Sequence, residues 1–376
     1  MSALYVVSDN IISPLGFTTS ENFANLNKDI SGIRLHKNNP ASSEPFYACL
    51  FDKKQALIQE DSAYTKFERL LIASITGALK NTGIDARDKK TILLISTTKG
   101  NISLLENHAM NAGLEKRMAL HSSAKLVAEH FGFSNSPLVI SSACISGVLA
   151  IITAKRLIES GLYENAVIAG ADIISKFVLS GFQAFQAISS EPCQPFDKNR
   201  KGITLGEGAA TIILSSNKKY SAVVKVMGGG VSNDANHISA PSRTGEELAY
   251  TIKTALHDSC ISANDIDFVS AHGTATLYND AMEAKAITLA GLQPVPVNSL
   301  KGYYGHTLGA AGLIESIISI QSLKENSILP TKGFMEMDEA APLNIQNIIL
   351  NKPLQNCLKI ASGFGGCNAA VIFSKE

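Results

Sequence analysis

The chain has 376 residues with 33 basic and 33 acidic side chains, so 33 − 33 = 0 formal charge, which leaves no net basic footprint for a nucleic-acid partner. A hydrophobic fraction of 45% against 18% charged residues excludes a disordered chain, and the length allows two or three domains, or one large duplicated one, at about 100–200 residues each. The apolar run Gly147–Ala154 is closed by Lys155, far short of the roughly 18 residues of a membrane span.

Strands and helices alternate along the chain. Ala3–Val7 reads as a strand; it has no basic segment before it and no long apolar core, so it is not a signal peptide. Phe67–Lys80 has helical apolar spacing and stops at Asn81-Thr82-Gly83. Then come a buried strand Thr91–Ile95, a helix Ser123–Phe131, a strand Leu138–Ser141, a helix Gly147–Ser160 closed by Gly161, and strands Asn165–Ala169 and Ala209–Ser215. A second series repeats this order: strand Ala222–Val231, helix Glu246–Asp258, strand Asp267–Ala271, helix Asp280–Leu289, strand Val295–Asn298, helix Leu308–Leu323, and closing strands Leu358–Ala361 and Ala369–Ser374. Such alternation predicts an α/β sheet buried on both faces. The two series predict duplicated halves, residues 1–216 and 217–376. The 28 glycines and the absence of Trp suggest backbone packed closely on backbone. Six cysteines without a Cys-x-x-C pair read as reduced thiols of a cytoplasmic protein, not as a zinc knuckle or redox pair.

Three reactive side chains fall on turns between these elements. Cys144, in Ser141-Ser142-Ala143-Cys144-Ile145-Ser146-Gly147, follows a strand and precedes a helix. There the helix dipole and free amides favour thiolate, lowering the pKa and making a nucleophile; an inert buried cysteine is the common alternative. His272 follows a strand in Ala271-His272-Gly273-Thr274, and His306 precedes a helix in Gly305-His306-Thr307-Leu308-Gly309. In α/β folds the carboxyl ends of strands collect the active site. The spacings, 272 − 144 = 128 and 306 − 272 = 34, are too long for a local metal motif. The loop Ser362-Gly363-Phe364-Gly365-Gly366 reads as an oxyanion donor with an aromatic gate, or as a tight turn between strands. Asp197, Arg200 and Glu207 read more readily as an ion-pair and turn scaffold than as reactive groups.

Taken together, these strings resemble the β-ketoacyl-acyl carrier protein synthases, the decarboxylating condensing enzymes with a Cys-His-His triad. The resemblance runs from Val6 to Phe373. It rests on Ser142 to Gly147, Pro195-Phe196-Asp197 with Arg200 and Gly206-Glu207-Gly208-Ala209, Ala271 to Thr274, Lys301 with Gly305-His306 and Gly309-Ala310-Ala311-Gly312, and Gly363-Phe364-Gly365-Gly366. It implies a thiolase-like fold of two similar halves in a five-layer α-β-α-β-α stack, normally a homodimer. It implies that Cys144 takes an acyl group from acyl carrier protein, that the amides of Cys144 and Phe364 hold the oxyanion, and that His272 and His306 stabilise the enolate formed as malonyl carrier protein loses CO2. Lys301 and Glu283 match the family's supporting ion pair, and Phe364 its gate. No cofactor or metal is implied in the chemistry.

The chain is shorter than other members, in good part before Cys144, where the acyl pocket, the dimer contact and the carrier-protein mouth are built. Ile360-Ala361-Ser362 replaces the usual Asn-Ser-Phe, and Ser270 replaces an Asn; both departures bear on a structural ion reported for some members. Lys66, Arg69, Lys198, Arg200 and Lys201 are candidates for docking an acidic carrier protein. A non-catalytic chain-length-factor-like partner would lack the nucleophile that Cys144 supplies. A thiolase would need an acid/base cysteine, for which Cys367 is the candidate, and a different His loop.

Overall fold

The computed structural model describes residues 4–52, 63–220, 224–337 and 342–376. Ala3 and Ala222, the first residues of two expected strands, lie outside them. Ten strands build one hydrogen-bonded sheet: β1 (Leu4–Ile12), β2 (Thr91–Ser96), β3 (Leu138–Ile140), β4 (Asn165–Asp172), β5 (Gly208–Ser215), β6 (Val224–Asn233), β7 (Phe268–Ser270), β8 (Val297–Asn298), β9 (Asn356–Gly363) and β10 (Cys367–Lys375). β2, β4 and β5 are buried along their whole length. Their continuous apolar sequences are what strands covered by helices on both faces require.

The sheet order is β8-β7-β9-β10-β6-β1-β5-β4-β2-β3. Read outward from the middle, the strands of each set follow the order first, fifth, fourth, second, third. The pairings repeat as well. The first strand of each set is antiparallel to the fifth, the fifth to the fourth, and the second is parallel to both the fourth and the third. The two sets join where Leu4 and Tyr5 of β1 meet Val226 and Lys225 of β6. The chain crosses from one set to the other between Ser215 and Val224.

Seven of the helices in the described residues build the layers and the site: α1 (Lys66–Leu79), α2 (Leu120–Phe131), α3 (Ser146–Glu159), α4 (Lys176–Ala184), α5 (Glu246–Asp258), α6 (Leu277–Leu289) and α7 (Ala311–Glu325). α1 packs on β1, β4 and β5 and against α2, while α5 packs on β6 and β10 and against α6. α3 and α7 touch each other and strands of both sets, so they form the middle layer of an α-β-α-β-α stack. Accordingly α7 is buried nearly all round, as a helix between two sheets must be. Sequence reading missed α4 and the helices Thr19–Asn27, Ala112–Met118 and Lys301–Tyr304, all of them short; Ser175 and Thr18 cap the first two. No helix is long and apolar enough to cross a membrane among the described residues.

Two glycines set the spacing of the middle layer. A Cβ on Gly147 would lie 2.6 Å from the Leu313 nitrogen, and one on Gly312 would lie 2.6 Å from the Val148 nitrogen. Both obstacles are helix backbone, which cannot swing aside. Gly312→Ala should therefore push α3 and α7 apart and destabilise the fold by about 1–3 kcal/mol, the usual cost of overpacking. A lower urea midpoint at unchanged slope is the expected reading.

Candidate active site

The middle helices and the ends of the second strand set converge on one buried cluster. The chain leaves β3, turns through Ser142 and Ala143, and presents Cys144 just ahead of α3. Ala143 is held in the left-handed region at φ 43°, a conformation that costs a non-glycine residue about 1–2 kcal/mol. Ser146 locks the turn: its Oγ accepts from the Ser142 amide at 2.8 Å and donates to the Ala143 carbonyl at 2.6 Å.

His306 occupies the matching place ahead of α7. Its amide donates to the Thr204 carbonyl at 2.7 Å, and its carbonyl accepts from Gly206 at 3.0 Å. The turn after it is also left-handed, at Leu308 with φ 52°. His272 follows β7. Its amide donates to Glu283 at 2.7 Å and its carbonyl accepts from the Lys301 ammonium at 2.9 Å. Cys144 Sγ and one nitrogen from each histidine lie within 4.8 Å of one another. The two rings stand edge to face, 5.1 Å apart at 84°.

The hydrogen bonds settle which ring nitrogen carries the proton. Nδ1 of His306 accepts from the Leu308 amide at 3.1 Å, and Nδ1 of His272 faces the Lys301 ammonium at 3.3 Å. An ammonium has only protons to offer, so each neutral ring keeps its proton on Nε2. Burial, followed by the charge of Lys301, holds both rings well below the ordinary histidine range. The cluster thus offers two N–H donors beside a sulfur. Three potential ligands of two types, one thiol and two imidazoles, lie within reach of one ion, but the free ring nitrogens carry protons instead of lone pairs.

A cavity of about 400 Å³ opens onto Cys144, His272, His306 and Phe364, a size suited to a ligand arm. The half-buried Phe364 ring sits 5.8 Å from Phe182 and 5.6 Å from the exposed Phe185, both on or beside α4. Its amide donates towards the Cys144 sulfur.

The comparisons with known proteins meet this geometry. Residues 6–220 match the beta-ketoacyl synthase N-terminal domain, and residues 223–335 match its C-terminal domain. The chain belongs to the β-ketoacyl synthase family. A 3-oxoacyl-[acyl-carrier-protein] synthase 2 of Vibrio cholerae is 28% identical over 407 residues, covering 98% of each chain. The ishigamide ketosynthase/chain length factor has a TM-score of 0.92 at 26% identity, over 100% of this chain and 99% of that one. A beta-ketoacyl synthase from Burkholderia phymatum STM815 gives 0.90 at 25% identity, covering both chains fully. The fold is the thiolase-like ketosynthase fold, and the chain is a condensing enzyme of that family.

Three expectations for this β-ketoacyl synthase are corrected by the structure. Glu283 is not the partner of Lys301. Its carboxylate takes the amides of His272 and Gly273 at 2.7 and 2.6 Å and the Asn279 side chain at 2.7 Å, and burial followed by the Asp280 charge raises it to about 7. Lys301 pairs instead with Glu315 of α7, a residue that sequence reading passed over. The Cys144 thiol is not depressed. Burial, with Cys367 nearby, pushes it up to about 12, against the opposing pull of Lys301, the Phe364 amide and Lys99. The sequence shows the helix start but not the loss of solvent.

The third correction concerns one docking candidate, Arg200. Arg200 is buried, donating to the carbonyls of Asp197 at 2.8 Å and Leu277 at 3.1 Å. Lys66 is committed to the buried Glu207 at 2.7 Å, and half-buried Arg69 turns back to the Tyr64 carbonyl at 2.9 Å. Lys198 pairs with Glu336, and Lys201 with Glu191 at 2.8 Å. Arg200 is thus a scaffold residue, whereas Lys198 and Lys201, with side chains 44% and 51% exposed, keep only surface pairs of the weak kind. Asp197 takes the amides of Met335 and Glu336 at 2.8 and 2.9 Å, a scaffold role. A further positioning group also escaped the sequence. Asp172 ends β4 and takes the Gly309 amide at 2.7 Å and the Thr97 hydroxyl at 2.8 Å.

Two outcomes test this geometry. Glu283→Gln turns an amide donor towards one of the three donors the carboxylate now receives, and should cost about 1–3 kcal/mol in stability, read as a lower urea midpoint. The imidazoles resist protonation when folded but titrate near pH 6.5 once unfolded, so the unfolded chain binds more protons below that pH. The histidine contribution to stability should fall as pH drops from 7.5 to 5.5, while Glu283, raised when folded, contributes in the opposite sense over the same interval. Relative to wild type, His306→Gln should therefore shift the stability-against-pH slope in urea melts in favour of the lower pH.

Proposed function

We propose that the chain catalyses a decarboxylating Claisen condensation of an acyl group on Cys144 with malonyl-acyl carrier protein. The observation that carries this reading is the placing of Cys144 Sγ and one nitrogen of each histidine within 4.8 Å of one another, with both Nε2 protons free of the Nδ1 contacts. In the first half, the sulfur attacks the carrier thioester; the carrier thiol leaves with the proton the Cys144 thiol gives up, so no separate base is needed. In the second half, the carbon–carboxylate bond of the malonyl group breaks. CO2 departs, and the electron pair remains as an enolate whose oxygen receives both Nε2–H bonds. The carbanion attacks the acyl-Cys144 carbonyl, the oxyanion rests on the amides of Cys144 and Phe364, and the C–S bond breaks. The sulfur recovers one proton from solvent. Donors aimed at charge that develops in the reaction are each worth roughly 10²–10³ in rate.

The hydroxyls of Thr274 and Thr276, 3.0 Å apart on the cavity wall, suit the amides of a carrier's extended thioester arm. A thiolase reading is weaker. The Cys367 thiol donates to the carbonyls of Ser142 at 3.7 Å and Phe364 at 3.5 Å and does not line the cavity. The cysteines of the described residues are all unpaired, which supports a reducing, cytoplasmic setting. A homodimer has a natural seam. The outer edge of β8 is covered by Asn344–Gln346 through two 2.9 Å backbone bonds at Val297, whereas β3 ends the sheet with Leu138 39% exposed.

Cys144→Ala should abolish acyl-enzyme formation, read by mass spectrometry of the intact protein after incubation with acyl carrier thioesters. His272→Ala and His306→Ala should each block labelled CO2 release from malonyl carrier protein while sparing part of the acyl transfer. The double variant should be little worse than either single one, as for groups that act as a unit. Normal CO2 release by one variant removes that histidine from the reaction.

A further inference from the structure

Lysine is almost never fully buried without a partner, yet Lys359 is buried in the middle of β9 between Leu358 and Ile360. Its ammonium lies 2.7 Å from Glu315, 3.2 Å from the Ser270 carbonyl and 3.0 Å from the Ala271 carbonyl. The next carbonyl, that of His272, is held by Lys301 at 2.9 Å, and Lys301 shares the same Glu315 carboxylate. Three successive carbonyls at the end of β7 are therefore held by two ammonium groups that share one carboxylate.

A carboxylate oxygen and two carbonyls form an all-oxygen donor set, the chemistry that holds a bare hard cation. The residues that depart from the family pattern surround this point: Ile360 follows Lys359, and Ser270 pairs with it in register. The Ser270 hydroxyl has no hydrogen-bond partner among the described residues. A structural ion does not fit here, because the ammonium already lies among the oxygens such an ion would use.

We propose that Lys359 is a tethered cation, a positioning residue that replaces a bound metal ion and fixes the strand end carrying His272. It supplies by a covalent side chain what an ion would supply by binding, so the site needs no alkali metal. The CO2 readout below rests on the reaction proposed above; the thermal readout does not.

The test compares wild type, Lys359→Ala and Lys359→Met in tetramethylammonium buffer and in the same buffer with potassium or sodium. Wild type should show the same thermal midpoint and CO2 release in all three. Lys359→Ala opens the oxygen-lined space and should lose about 10- to 100-fold in CO2 release. Potassium or sodium should restore most of that loss and raise its midpoint by several degrees. Lys359→Met fills the space with an apolar side chain and should not be rescued. A wild type that gains stability or activity from alkali cations overturns the proposal, whether or not the variants fold. A folded Lys359→Ala indifferent to the cations in both readouts also overturns it. The thermal rescue without CO2 release by any form, wild type included, upholds the tethered cation and refutes the proposed reaction.

Discussion

The contact between Gly147 and Gly312 is the constraint on which the site depends. Two helices with side chains at their crossing would stand apart by the thickness of those side chains. Here each helix presents bare backbone to the other, and each is preceded by a reactive residue, Cys144 two residues before α3 and His306 one short 3-10 turn before α7. The reach between sulfur and imidazole is thus set by the closest approach of two rigid elements and not by loop flexibility. The left-handed turns at Ala143 and Leu308 add strain that the well-buried frame around them sustains.

The second frame is electrostatic. Two buried ammonium groups against one buried carboxylate are costly in isolation, since desolvation exceeds much of the mutual attraction. The arrangement persists because Lys301 hydrogen-bonds the His272 carbonyl, Nδ1 of His272 and Glu315, while Lys359 hydrogen-bonds the Ser270 and Ala271 carbonyls and forms an ion pair with Glu315. Its consequence is a site in which burial first, and excess positive charge second, keep both imidazoles neutral. The donors are in place before any negative charge forms, so little reorganisation is required when it does.

Much of this was legible from residues alone, and the part that was not has a common physical origin. β2, β4 and β5 could be read because a strand covered on both faces needs an unbroken apolar run. Cys144, His272 and His306 could be read because each stands among small residues at the end of an element. Partner identity could not. Glu283 and Glu315 are both acids on helices after a histidine, and only the tertiary path of α7 decides which one meets Lys301. The ionisation of Cys144 escaped for a related reason, because a helix start is visible in sequence and solvent exclusion is not. Arg200 and Lys66 looked like surface charge until Asp197, Leu277 and Glu207 were seen to hold them. Lys359 did leave a signal, a lone cation within the buried run Cys357 to Ala361.

The two borders of the sheet are unlike. At β8 the segment Asn344–Gln346 has already been added as a cover, while at β3 the ladder simply stops among the described residues. A sheet with both borders bare can be extended from either end and invites fibres. A sheet with one sealed border can be extended once: a second molecule that joins at β3 brings its own sealed end with it. Growth by that route would stop at two, and the cover over β8 would then guard a large central sheet against serving as a template for polymers.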